Sequence, residues 1–157
     1  MINIKKADLK DLDSLCDLEK ECFEKAWTKA NIEVVLKDEN SKVFLIEDQG
    51  KTLAYIAYSK IIDEISLDRI GVSKLARRKS YASLLIEKML EENLATSLEV
   101  SEKNIGARKL YEKYDFVIEG KRKDYYKIRE DALIMWRKIK WRYWQLNHLA
   151  MKHQLLF

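Results

Sequence analysis

From Lys42 to Val72 the chain carries three β-rich runs in succession, "KVFLIED", "KTLAYIAYSK" and "ISLDRIGV", with Gln49-Gly50 between the first two. A glycine turn between two alternating runs is a hairpin signal. The third run extends that pair into a mostly antiparallel sheet. The next two runs change the topology. Residues 80–93 place Leu84, Leu85, Met89 and Leu90 at helical spacing, and "ATSLEVS" (95–101) reads as a short strand. A helix between two strands of one sheet is a crossover, so a parallel connection is expected near the middle of the chain.

The flanking segments complete the pattern. "INIKKA" alternates as a strand, and Asp8 caps a predicted helix over 9–22 in which Leu9, Leu12, Leu15, Leu18 and Cys22 recur at three and four. A second helix begins after Thr28 and carries Ile32, Val35 and Leu36. Asn104 caps a helix over 104–114, and "FVIEGKRK" and "DALIMWRKI" read as two β runs around a polar loop. The predicted order is β-α-α-β-β-β-α-β-α-β-β, a mixed α/β (α+β) domain over residues 1–139. A basic, aromatic extension over 140–157, predicted to be helical, comes after it.

Composition excludes several classes. The 157 residues hold no proline and four glycines, against both disorder and a turn-dense all-β fold. No run approaches the roughly 18 apolar residues of a membrane span. "MINIKKADLKDLD" has no apolar signal core, so the cytoplasm is the expected compartment. Cys16 and Cys22, six apart in one helix, fall on different faces and are expected to stay reduced. The histidines, His148 and His153, both lie in the last ten residues. No zinc-type spacing occurs, so no metal is expected, and Ser-His or Cys-His catalysis is excluded from the body of the domain. The formal charge is +4, but residues 137–157 hold five Lys and Arg and no Asp or Glu, leaving about −1 on residues 1–136. DNA or another general polyanion is therefore not the expected partner of the main body.

One local patch runs against that balance. Lys74, Arg77, Arg78 and Lys79 crowd the start of the predicted helix 80–93. Cations at a helix N-terminus oppose the dipole by about 0.3–1 kcal/mol each. A bound anion reverses the sign, because free N–H groups and side-chain charges then act together. A solvated basic turn is the other reading.

"DRIGVSKLARRKSYASLLIEKML", "LEVSEKNIGARKLYEKYDF", "FEKAWT", "GKRKDYY" and "EDALIM" occur in an order that resembles the GCN5-related N-acetyltransferase (GNAT) superfamily, over nearly all of residues 1–139. Within it they look most like the RimI group, which acetylates the N-terminal alanine of a ribosomal protein. The resemblance implies an acetyl-CoA-dependent transfer of acetyl to a protein N-terminal amine, by direct attack without an acyl-enzyme. It implies that Glu99 is the general base and Tyr111 the general acid. An outward strand glutamate in a salt bridge and a core aromatic are the alternatives for these two. Backbone at Ile70 and Val72, the turn and helix start at Arg77, Arg78, Lys79, Ser80, Tyr81 and Ala82, and Asn104 are the implied coenzyme contacts. Helix capping explains Asn104 equally well. Phe23, Trp27, Tyr125 and Tyr126 are implied to wall the substrate groove, with core packing as the alternative.

Departures from the family pattern are local. Arg78 and Ser80 stand where glycines are common, Asp115 stands where a glycine usually comes after the helix, and Ala26 replaces a usual proline. If position 78 needs positive φ, the arginine carries strain. Two other functions stay open at this level: acetylation of a small-molecule amine, and a degenerate domain that only binds a partner. The extension 140–157 is expected to pack on the domain or to contact a protein partner or RNA.

Overall fold

The computed structural model describes residues 1–139, and the expected extension, 140–157, lies outside the described residues. The elements keep the predicted order: β1 (Ile2–Lys6), α1 (Leu12–Cys22), α2 (Lys29–Lys37), β2 (Ser41–Asp48), β3 (Lys51–Ile61), β4 (Glu64–Val72), α3 (Tyr81–Leu90), β5 (Ala95–Ser101), α4 (Ile105–Lys113), β6 (Val117–Lys127) and β7 (Glu130–Arg137). They form a seven-stranded sheet in the order β1-β2-β3-β4-β5-β7-β6. Only β4 and β5 pair in parallel; the other neighbours are antiparallel.

The capping residues behave as their chemistry dictates. Asp8 accepts from the Lys10 amide at 2.8 Å, and Asp11 accepts from the Asp8 amide at 2.9 Å. The predicted helix 9–22 therefore opens as one 3-10 turn, Leu9–Asp11, before α1. Thr28 and Asn31 exchange amide bonds at the start of α2, and Asn104 accepts from the Ala107 amide at 3.2 Å to cap α4.

Both sheet faces are covered. Leu15 and Leu18 of α1 and Ile32 of α2 pack on Val43, Leu45, Tyr55 and Ala57. On the other face Leu85, Ile86 and Met89 of α3 and Tyr111 of α4 pack on Ile56, Tyr58, Leu67, Leu98 and Met135. Alternation along each strand sends successive side chains to these two cores.

Two irregularities shape the middle of the sheet. The β4–β5 register runs only from Glu64↔Ala95 to Leu67↔Leu98. Beyond it β4 continues to Val72 and β5 to Ser101, so the strands part into a wedge. In addition, Ala57 pairs with Arg69 and Tyr58 with Leu67, which leaves Asp68 without a register partner on β3. This bulge re-aims β4 just where the wedge opens.

The last hairpin corrects one expectation. Tyr125 and Tyr126 lie on β6 rather than in a polar loop, and the turn falls at Ile128-Arg129. Between the pairs Arg122↔Ala132 and Lys127↔Glu130, five steps of β6 pass against two of β7. The surplus residues, polar and aromatic, look like loop in sequence but are carried as an irregular strand.

Candidate active site

A cleft of about 290 Å³ fills the wedge between β4 and β5, with Phe23, Ile70, Glu99, Asn104, Tyr111 and Tyr126 among its walls. It continues into an outer groove of about 650 Å³ bounded by Trp27, Arg122, Tyr125 and Trp136. Leu67, Asp68, Arg69, Leu98, Glu99 and Tyr126 face both compartments. Of the expected residues, Glu99 and Tyr126 stand at this boundary, Tyr111 and Phe23 face the inner cleft, and Trp27 and Tyr125 face the outer groove.

Glu99 projects from β5 between the inward-packed Leu98 and Val100 and ion-pairs with Arg122 of β6, Oε1 to Nη2, at 3.0 Å. The salt-bridge reading and the cleft reading of this residue therefore hold together. Tyr111 is 6% exposed and stacks obliquely on Phe116, with ring centroids 5.8 Å apart. Burial, with the nearby Tyr126 second, pushes its phenol up to about 12. It is therefore a neutral O–H donor across the physiological range. Tyr126 is also raised, by burial first and then by the Glu99 charge, and meets Tyr125 edge to face at 5.1 Å. Asn104 lines the cleft, and its side chain caps α4.

The basic turn lies where β4 ends, at the open end of the wedge. Arg78 and Ser80 have φ of 64° and 62°. Both adopt the left-handed region that favours glycine, at the two positions where the family pattern has it. Arg77, Arg78, Lys79 and Ser80 are exposed, whereas the Tyr81 ring is buried in the core and only its main chain sits at the helix start. The first bond of α3 is from the Leu84 amide to the Ser80 carbonyl at 3.1 Å, so the amides of Tyr81, Ala82 and Ser83 precede the helical ladder. Arg77 Nε donates to the Val72 carbonyl at 3.5 Å. Asp115 takes φ 68° after α4, as an aspartate tolerates.

Sequence reasoning missed the brace behind the groove. Glu19, 1% exposed at the side chain, receives Arg69 Nε at 2.9 Å and Nη2 at 2.6 Å, both on Oε1. The Trp27 amide donates to the same oxygen at 2.9 Å, and the Tyr55 hydroxyl donates to Oε2. Arg69 Nη2 also reaches the Lys25 carbonyl at 2.8 Å. The guanidinium lies over Phe23 at 4.0 Å and Trp27 at 5.0 Å. Gly71 permits this packing: a Cβ there would sit 3.0 Å from Tyr55 Cε1 and 3.3 Å from the Phe23 ring. The available signals were two charged residues inside the strand "ISLDRIGV" and a glutamate on the apolar spacing of α1. Glu21 is a second missed brace. Its Oε1 accepts from the Lys74 amide at 2.7 Å and Ser73 Oγ at 2.9 Å, and the Lys74 amide bond leads in holding its carboxyl below the usual value.

The cysteines are free. Burial raises both thiols, and Cys22 Sγ donates to the Val72 carbonyl at 3.4 Å. Neither is an activated thiolate. Among the described residues no group of His, Cys, Asp and Glu could hold a metal ion, and no helix is long and apolar enough to cross a membrane.

Residues 12–116 match the acetyltransferase (GNAT) family. A protein of Bacillus subtilis (strain 168), provisionally named a [ribosomal protein bS18]-alanine N-acetyltransferase, is 30% identical over 135 residues, spanning 82% of this chain and 89% of the relative. The crystal structure of the ribosomal-protein-S18-alanine N-acetyltransferase from Escherichia coli superposes with a TM-score of 0.83 at 26% identity, covering 88% of this chain and 94% of that one. Arabidopsis thaliana NAA60 in complex with acetyl-CoA shares the fold, with a TM-score of 0.77 at 14% identity over 87% of this chain and 98% of that one.

Proposed function

The chain belongs to the GNAT acetyltransferase family and is RimI-like, and from that premise we propose that it uses acetyl-CoA to acetylate the N-terminal amine of a protein. The proposed substrate is the N-terminal alanine of a small-subunit ribosomal protein, modified in the cytoplasm. One observation carries the reading: the Glu99 carboxylate and the buried Tyr111 phenol face one cleft where β4 and β5 part. The E. coli and B. subtilis relatives support the substrate, and the outer groove of about 650 Å³, with Trp27, Tyr125 and Trp136 in its walls, offers an aromatic surface for residues beyond the first.

In this mechanism each group has one task. An N-terminal amine has an ordinary pKa near 7.7–8.0, so much of it arrives protonated. Glu99 takes the proton, directly or through water, freeing the lone pair. Nitrogen then attacks the thioester carbonyl; the C–N bond forms, the C–S bond breaks, and the second proton that the nitrogen sheds in becoming an amide passes to water. Tyr111 donates its proton to the departing sulfur, a task its raised pKa keeps it ready for at neutral pH. Backbone N–H groups near Ile70 and Val72 receive the developing oxyanion. The exposed cations at Arg77, Arg78 and Lys79, with the free amides of Tyr81 and Ala82, bind the coenzyme's diphosphate. Phe23, Trp27, Tyr125 and Tyr126 hold the peptide. The raised thiols of Cys16 and Cys22 favour direct transfer over an acyl-cysteine.

Steady-state kinetics with acetyl-CoA and an alanine-terminated peptide test the assignment. Glu99→Gln should lower kcat by about 10²–10⁴-fold, with acetyl-CoA binding retained by calorimetry. Retention of near-full kcat in Glu99→Gln would remove Glu99 from the mechanism.

A further inference from the structure

The boundary between the two compartments holds one carboxylate with no cation against it. Four charged side chains line the outer groove: Asp68, Arg69, Glu99 and Arg122. Arg69 is matched from behind by Glu19, and Glu99 is matched by Arg122 at 3.0 Å. Asp68 forms no ion pair among the described residues; the groups facing it are the hydroxyls of Ser59 and Ser66. Hydroxyls satisfy oxygens but leave the charge in place. Asp68 is exposed as a residue; crowding by the surrounding protein strips part of the water from its carboxyl and raises it above its ordinary value, against the effect of the two hydroxyls.

Its placement is built into the sheet. Asp68 is the residue that the β3–β4 pairing skips, and it lies one step beyond Leu67, where the β4–β5 register stops. The bulge and the parting of the strands therefore coincide on this side chain. Like Glu99, it faces both the inner cleft and the outer groove. In the Nα-acetyltransferase reading, a peptide in the outer groove brings its first nitrogen to Glu99, at that boundary.

We propose that Asp68 receives the α-ammonium group of the substrate and selects a cationic amine terminus, holding it beside Glu99. The inference rests on the Nα-acetyltransferase reading of the same cleft. Protonated amine is the major species near neutral pH, and the Glu99 charge is already shared with Arg122. Asp68 is the anion left to dock the incoming cation; Glu99 then removes the proton. Asp68 thus acts on binding, and Glu99 on the bond-making step.

The test is Asp68→Asn, which keeps the shape and removes the charge. The KM for an alanine-terminated peptide should rise about 10–100-fold, as expected for loss of a charge-assisted contact. Values of kcat and of KM for acetyl-CoA should stay within about threefold. Two inhibitors separate charge from structure. An Nα-trimethylated alanine peptide, a permanent cation, should bind more weakly by the same factor as the substrate. The neutral Nα-acetylated peptide should bind both proteins equally. The inference is overturned by an unchanged peptide KM, by equal weakening of cationic and neutral peptides, or by a fall in kcat alone. Failure of the functional reading looks different. Wild-type protein would then leave every peptide unmodified while acetylating a small amine such as a polyamine. That result defeats the peptide substrate, and the same Asp68→Asn comparison is scored on the KM of the small amine.

Discussion

At the groove end of the cleft, a buried carboxylate gathers Arg69, Tyr55 and the Trp27 amide and so fixes Phe23 and Trp27 as a wall. At the turn end, between β4 and α3, four exposed residues, three of them cationic, stand in succession, and two of the four sit in the left-handed region with side chains that region disfavours. The first region spends its polar groups on itself. The second leaves amides and charges for something else. In the proposed function this wall presents one shape to a peptide and gains from internal satisfaction, because a half-paired buried charge is costly. A turn that must grip an anion needs donors that are free until it arrives. The cost is a strained turn without its ligand.

Breaking the wall should give the largest effect. Glu19→Ala strands Arg69 and releases the Trp27 amide, and should cost about 3–5 kcal/mol, the usual penalty for removing one partner of a buried ion pair. Denaturant unfolding measures it, and a loss below about 1 kcal/mol would show that the wall stands without the pair. The double change Glu19→Leu with Arg69→Met should recover much of the stability but not the KM for peptide.

Alkaline pH probes the wall and the cleft together. An unfolded tyrosine ionises near 10, and Tyr111 in the fold near 12. Its phenol therefore favours the folded state below pH 10, and that contribution is lost as pH rises from 10 through 12, about 3 kcal/mol in all. Tyr55 and Tyr58 are raised by burial in the same direction. Urea midpoints measured between pH 9 and 12 should fall for the wild type and fall less for Tyr111→Phe. In kinetics, Tyr111 should contribute no basic limb to kcat below about pH 10.

The turn should respond in the opposite sense. Arg78→Gly relieves a left-handed residue and should stabilise the chain by about 1 kcal/mol. It also removes a charge, so acetyl-CoA should bind several-fold more weakly and with a shallower salt dependence. Tighter binding would instead mark the arginine as a strained substitute for glycine. Asp115→Gly should give the smallest gain, about 0.5 kcal/mol or less, because aspartate already tolerates this conformation.

The same contrast explains what could be read from the residues alone. Element order, the crossover and both helix caps were legible because period, glycine and capping chemistry act over a few positions. The strain at Arg78 was foreseeable through the family resemblance, which has glycine where Arg78 stands. Glu19, Arg69, Glu99 and Arg122 were not legible as partners. Arg69 and Glu19 lie 50 positions apart, and only the packing of α1 on β4 brings them together. The Asp68 bulge was hidden as well, since a register shift in one strand is visible only against its neighbour. Tyr125 and Tyr126 read as loop in the sequence because strand irregularity and loop share the same polar composition.

The parted strands carry one further consequence. Among the described residues, four residue pairs, from Glu64↔Ala95 to Leu67↔Leu98, make up the strand pairing between the β1–β4 half of the sheet and the β5–β7 half. On one face the core under α3 and α4 also spans the two halves, and a ligand lying in the wedge adds contacts to both where the strands have parted. Such a ligand is a cross-brace as well as a reactant, and it should raise the melting temperature in proportion to the logarithm of its concentration above Kd. Amide exchange along residues 68–72 and 99–101 should slow with it, so that occupancy and rigidity of the sheet rise together.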